Sequence, residues 1–254
     1  MNFFICIVVM VTGAVVGSFL NVCILRIPAG DSIILPRSRC PRCRHAIRFY
    51  DNIPIVSYFI LKGKCRDCAK SISPRYAAIE ALTAVLFLLL FSKYGLSLEF
   101  LFYVVFTGAL IVIAFIDLDH FIIPDVITLP GIPILFLAAV FVMKASFVDS
   151  ILGVLIGGGS LLLIAVIYQR LTKREGIGLG DVKLLAMIGA FLGWKSLLFV
   201  LFLSSLLGSI VGLLIILRKG GNLKYAVPYG PFLSLAAVAY IFLGNDFMNF
   251  FIPT

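Results

Sequence analysis

The sequence is poor in charge, in histidine and in long polar tracts. Charged residues make up 13% of its 254 positions and hydrophobic residues 62%, against roughly 25% and 45–50% in soluble domains. A water-soluble globule of this size cannot hide that much apolar surface. There are two histidines and no H-E-x-x-H, which argues against a zinc protease. No G-x-G-x-x-G fingerprint offers a dinucleotide-type cofactor site. No internal repeat or low-complexity tract is present. With only 12 acidic residues, the position of each carboxylate is informative.

What remains is a series of apolar runs, several near the ~20 residues that cross a bilayer as a helix. They cover Phe3–Leu25, Tyr76–Phe91, Leu98–Ile116, Val126–Met143, Ser150–Tyr168, Val182–Gly193, Ser196–Leu217 and Phe232–Phe250. The expected fold is an all-α integral membrane protein of about eight transmembrane helices with one small polar insert. The first run lacks a basic n-region and a small-residue cleavage site, so it reads as a retained helix rather than a signal peptide. The domain expectation is a first helix 1–25, the insert 26–75, and a transmembrane catalytic domain 76–254.

The net charge is +9, and eleven of the 21 basic residues fall between Arg26 and Arg75. In a membrane protein this bias reports topology before it reports a nucleic-acid partner, because basic loops stay cytoplasmic. With eight crossings, Arg170, Lys173, Arg174, Lys183, Arg218, Lys219 and Lys224 fall on the same side as the insert. Lys93, Lys144 and Lys195 are left opposite. The expectation is a cytoplasmic insert, both termini outside, a short distorted crossing at Val182–Gly193, membrane lipid as a partner and no nucleic acid.

The insert contains Cys40-Pro-Arg-Cys43 and Cys65-Arg-Asp-Cys68, with 21 residues between the pairs. Two residues between cysteines allow a turn to aim both thiolates at one tetrahedral centre, and two such turns complete a closed zinc site. A polar insert of about fifty residues is too small to hold together by apolar burial alone, so a structural metal has a physical purpose there. Reduced, purely structural cysteines or a redox pair are the alternatives. His45 reads as a neighbour of the site rather than a fifth ligand. Cys6 and Cys23 read as apolar fillers of the first helix.

Among the acids, Asp117 ends the third run and Asp181 opens the sixth in Gly178-Leu-Gly180-Asp181. Both fall at the cytoplasmic membrane boundary, on different helices. Ionisable groups at membrane depth are costly and usually functional. Two carboxylates brought together in a partly dry site share a proton, which leaves one to activate water and one to protonate a carbonyl oxygen. Gly178 and Gly180 permit close backbone approach. Spacing alone leaves a second reading open, in which these are interfacial carboxylates solvated by headgroup water. Asp119 is an alternative to Asp117, and Asp125 is expected to cap the fourth helix.

These segments together resemble the bacterial type IV prepilin leader peptidases, the membrane aspartic peptidases of type II secretion and type IV pilus systems. The resemblance runs in order through Gly17-Ser18-Phe19-Leu20-Asn21, Arg26-Ile27-Pro28, the first cysteine pair, and Asp51-Asn52-Ile53-Pro54 with Ser57-Tyr58. It continues through Gly63-Lys64-Cys65-Arg66-x-Cys68, Arg75-Tyr76 with Glu80, Asp117-x-Asp119 and Ile123-Pro124-Asp125. It closes with Gly178-x-Gly180-Asp181-x-Lys183 and Pro228-Tyr229-Gly230-Pro231-Phe232. One departure is Ala77 after Tyr76, where the family often has proline. The resemblance implies removal of a basic leader from prepilins or pseudopilins at the cytoplasmic face of the inner membrane. N-methylation of the new terminus by S-adenosyl-L-methionine would follow, a function tied to the N-terminal half. It assigns catalysis to Asp117 and Asp181, zinc to Cys40, Cys43, Cys65 and Cys68, and raises Glu80 as a cofactor-binding residue.

For single residues, blander readings stand beside these. Gly13 and Gly17 signal close helix packing. Ser18, Asn21 and Arg26 suit interhelical hydrogen bonds and headgroup anchoring. A glutamate at position 80 more often pairs with a basic residue. The rival functions are a peptidase without methyl transfer, an ion-coupled transporter using Asp117, Asp125 and Asp181, and a membrane-anchored binding module.

Overall fold

A computed structural model describes residues 3–173, 178–218 and 227–251. Arg174, Lys219 and Lys224, which entered the charge argument, lie outside the described residues. The described chain is helical, and it divides into two compact units, residues 1–108 and 109–254.

In the first unit, α1 (Phe3–Arg26) is followed by the polar insert, which contains the short α2 (Val56–Ile60); α3 (Arg75–Tyr94) follows. α4 (Leu98–His120) begins in this unit and ends in the second. The cysteine insert therefore groups with α1 and α3. These two helices run antiparallel in direct backbone contact: a Cβ on Gly13 would sit 2.8 Å from the Ala84 Cα, and one on Gly17 2.7 Å from the Glu80 Cα. The G-x-x-x-G expectation holds, since only bare Cα atoms allow this approach. Beneath the contact, Val9, Phe87 and Phe91 form a buried cluster against which Cys6 packs. The side-chain amide of Asn21 donates to the Tyr76 carbonyl at 3.1 Å, the expected interhelical bond. The Arg26 guanidinium donates to the carbonyls of Ser32 (2.8 Å) and Pro36 (2.7 Å) and ties down the start of the insert.

The second unit contains α5 (Asp125–Phe141), α6 (Phe147–Thr172), α7 (Leu179–Leu192), α8 (Trp194–Arg218) and α9 (Gly230–Phe251). α7 is its centre: it packs against all four of the others, and every residue from Leu184 to Phe191 is buried. Its 14 residues span only about 21 Å at 1.5 Å per residue, well short of a hydrocarbon core of about 30 Å. A helix that is apolar all round and enclosed by neighbours does not have to match lipid thickness. α6 reaches it through a second G-x-x-x-G: a Cβ on Gly153 would collide with the Gly189 carbonyl, and one on Gly157 would lie 2.6 Å from the Leu185 carbonyl oxygen.

Five described helices are long and apolar enough to cross a membrane: α1, α3, α4, α6 and α8. α5, which carries Pro130 and Pro133 inside it, is shorter. So is the apolar stretch Gly230–Gly244 of α9. All eight apolar runs form helices, and five of those helices meet the span criteria.

The α6–α7 contact makes a direct test. Gly153→Ala should lower the thermal unfolding midpoint in detergent, by an overpacking cost of about 1–3 kcal/mol. Gly159→Ala, less than two helical turns further along α6 and in open space, should not lower the midpoint.

Candidate functional site

The four insert cysteines meet on two turns of one design. In the first, the Cys40 amide donates to the His45 carbonyl (3.0 Å) and the Arg44 amide to the Cys40 carbonyl (2.9 Å). In the second, Cys65 donates to Lys70 and Ala69 to Cys65, both at 2.9 Å. Arg39 bridges Ala46 and Lys64 bridges Ser71 at equivalent positions. Arg44 and Ala69 both take left-handed backbone, with φ of 59° and 55°, so each turn folds back after its second cysteine. All four sulfur atoms lie within 4.8 Å of one another, with Cys40–Cys68 at 3.9 Å and Cys43–Cys65 at 4.0 Å. Tetrahedral zinc with bonds of about 2.3 Å places its sulfurs about 3.8 Å apart, so the donor set fits that ion. The backbone N–H groups of Cys43 and Arg42 bring the Cys40 thiol down to about 7, while burial and the neighbouring thiols push Cys43 up. His45 contributes its backbone carbonyl and is not among the clustered ligands.

Next to this cluster lies a cavity of about 430 Å³, lined among others by Ser18, Asn21, Cys40, Ile55, Arg66 and Glu80. Glu80 is buried. Its partner is not a basic side chain, as its sequence position suggested, but the backbone amide of Ile55, which donates to Oε2 at 2.7 Å. A turn brought back by the insert supplies that donor, a contact 25 residues away in sequence. Asp51, quoted in the motif without a role, is held by a two-pronged bond from Arg66. That guanidinium keeps the Asp51 carboxyl below its ordinary range. The pairing therefore persists at neutral and mildly acid pH and is lost as pH falls through the depressed value.

In the second unit, Asp117 and Asp181 line one cavity of about 250 Å³ together with Ile123, Asp125, Gly178 and Gly180. Each stands where a helix meets a loop, Asp117 in the last turn of α4 and Asp181 in the first turn of α7. Asp117 is buried and its Oδ2 accepts the Gly230 amide at 2.9 Å. Oδ1 of Asp181 is buried with no hydrogen-bond partner among the described residues. Gly180 lets α7 close on the loop before α5, since a Cβ there would lie 2.8 Å from the Ile123 Cβ. Gly230 is the residue whose role the sequence did not disclose. It opens α9, where first-turn amides are left free to bind an anion, and a Cβ on it would lie 2.7 Å from the Asp117 Oδ2. The tight Pro-Tyr-Gly-Pro motif was its only visible sign.

Asp125 does not cap α5. Pro124 occupies the cap position without a side-chain bond, and Asp125 instead pairs with Lys183 at 2.7 and 2.8 Å. Pro124 and Asp125 start the helix by backbone geometry, which leaves the carboxylate free to reach α7. Asp119 does not line this cavity.

Two family models match the chain, the bacterial peptidase A24 N-terminal domain over residues 11–94 and the type IV leader peptidase family over residues 104–213. Among curated relatives, the "Prepilin leader peptidase/N-methyltransferase" of Pseudomonas putida is 33% identical, covering 93% of this chain and 90% of its own. The chain belongs to the prepilin leader peptidase/N-methyltransferase family. The like-named protein of Pseudomonas aeruginosa is 35% identical over 92% of this chain and 89% of its own. That of Myxococcus xanthus is 41% identical over 83% of this chain and 63% of the relative. No solved structure matches. The two family models divide between the end of α3 and the first turns of α4, one with the cysteine cluster and Glu80, the other with both aspartates.

Metal analysis of the purified chain should find one zinc per molecule. Cys40→Ser or Cys65→Ser should lose it, because removing one thiolate from a four-ligand site leaves it open to water.

Proposed function

We propose that this protein removes the leader peptide from type IV prepilins or pseudopilins and then N-methylates the exposed terminus, at the cytoplasmic face of the bacterial inner membrane. The observation that carries the cleavage reading is the shared cavity of Asp117 and Asp181, 64 positions apart in the chain. A backbone donor favours the ionised form of a carboxylate, so Asp117, held by Gly230, is the base. Asp181, with a buried oxygen lacking a partner among the described residues, carries the shared proton. The ionised carboxylate takes a proton from water as the water oxygen attacks the scissile carbonyl carbon. The neutral carboxyl donates its proton to the carbonyl oxygen. When the tetrahedral intermediate collapses, the carbon–nitrogen bond breaks, the first carboxyl returns its proton to the leaving amine, and the second, now ionised, takes back a hydroxyl proton as the new carbonyl forms. The product is a free α-amine, the group that methyl transfer needs.

For that second step, a cavity of about 430 Å³ falls within the size range of small-molecule sites. Its buried Glu80 carboxylate suits a cationic ligand. S-adenosylmethionine, when bound, supplies an activated methyl group on a positive sulfur. Glu80 would hold positive charge there, while Asn21 and the Ile55 turn shape the wall. Zinc on the four cysteines has a structural role, since a closed thiolate site leaves no position for substrate. Eight crossings are supported by eight helices of 14 residues or more among the described residues, with the enclosed α7 accounting for the shortest. The charge bias supports a cytoplasmic side for the cysteine insert and both aspartates.

The test is incubation with a prepilin peptide and labelled S-adenosylmethionine, read by mass spectrometry. Asp117→Asn and Asp181→Asn should each slow leader loss by about a thousandfold or more, while a pre-cleaved peptide is still methylated. Gly230→Ala should slow cleavage by about 10- to 100-fold by displacing the Asp117 carboxylate. Cleavage at the normal rate in either asparagine variant would falsify the assignment.

A further inference from the structure

The segment from Tyr50 to Tyr58 carries motif residues, yet the reading above leaves their purpose unstated. Its backbone is unusual. Ile55 has φ 64° and ψ −54°, and the Val56 amide closes on the Pro54 carbonyl at 2.6 Å, which makes a γ-turn with a β-branched residue at its strained centre. Such a conformation persists only where the surroundings impose it. Here it aims the Ile55 amide at Glu80 Oε2.

The surroundings that impose it can be followed bond by bond. The buried Ser57 hydroxyl donates to the Tyr50 carbonyl (3.0 Å) and accepts the Ile53 amide (3.1 Å), closing the loop on which Ile55 sits. Asp51, inside that loop, receives Arg66 through Nε to Oδ2 (2.8 Å) and Nη2 to Oδ1 (2.6 Å). The same guanidinium lies 5.5 Å from the Tyr50 ring centroid, and Arg48 Nη1 donates to the Tyr50 hydroxyl at 2.6 Å. Arg66 directly follows Cys65, so the cysteine turn sets where its side chain begins. A forked guanidinium–carboxylate bond fixes direction as well as distance.

We propose that Arg66 and Asp51 are positioning residues, carrying the shape of the four-cysteine cluster to the Ile55 turn and setting the Glu80 carboxylate for the methyl donor. This rests on the reading that the cavity serves methyl transfer. The pair is partly exposed on the Arg66 side, where ion pairs contribute little to overall stability. Its loss therefore registers in the cavity before it registers in folding.

The experiment uses the full chain in detergent with a pre-cleaved pilin peptide, and reads KM for S-adenosylmethionine, kcat and zinc content together. Glu80→Gln comes first: if it leaves KM and kcat unchanged, the cavity reading itself fails. With Glu80 sensitive, Arg66→Ala and Asp51→Asn should each raise KM about tenfold, change kcat less, and retain one zinc per chain. Arg66→Lys, which keeps the charge and loses the fork, should recover part of the loss. The proposal is overturned if Arg66→Ala keeps KM within experimental error of the parent. It is equally overturned if that variant loses its zinc, since Arg66 would then serve the metal fold and not the cavity.

Discussion

A carboxylate in or beside a membrane has little water to stabilise it, so the protein must bring a donor to it. Both units answer this in the same way. A helix carboxylate receives a backbone amide from a distant turn: Glu80 from Ile55 at 2.7 Å, and Asp117 from Gly230 at 2.9 Å. A backbone donor carries no counter-charge, so it orients the acid without neutralising it by a salt bridge. It also depends on the fold, because the amide reaches the acid only when its turn is held in place. Ser57 and the Arg66–Asp51 fork hold one turn, and the start of α9 holds the other.

Close helix packing supports both arrangements. α1 meets α3 at Gly13 and Gly17, and α6 meets α7 at Gly153 and Gly157. With lipid as apolar as the side chains, burial gives helices little reason to associate, and direct backbone contact supplies the dispersion that does. With α5, α8 and α9 on its other sides, α6 encloses the Leu184–Phe191 stretch of α7. That lets a helix too short for the bilayer present Asp181 at its first turn, inside the protein and beside Asp117.

The two chemistries follow each other naturally. Hydrolysis of a peptide bond yields a carboxylate and a free amine, and an amine is the nucleophile that an activated methyl group requires. Asp117 and Asp181 share a small cavity with Asp125. Glu80 lines a larger cavity beside the cysteine cluster. Arg66, within the second cysteine turn, joins that cluster to the wall of the larger cavity through Asp51.

Hydropathy and spacing determined a good deal without coordinates. Apolar runs mark every long helix, because a backbone in lipid has to satisfy its own hydrogen bonds and the helix does so locally. The cysteine spacing marks the cluster, because the turn that joins each pair is local as well. What only the tertiary structure decided are the contacts between residues far apart in sequence. Gly230 reaching Asp117, Ile55 reaching Glu80 and Arg66 reaching Asp51 leave no periodic signal. Asp125 turned from its expected cap to Lys183, and Arg26 reaches the Ser32 and Pro36 carbonyls. Each of these depends on where a turn is placed by packing, and a pattern of residue types carries no information about that distance.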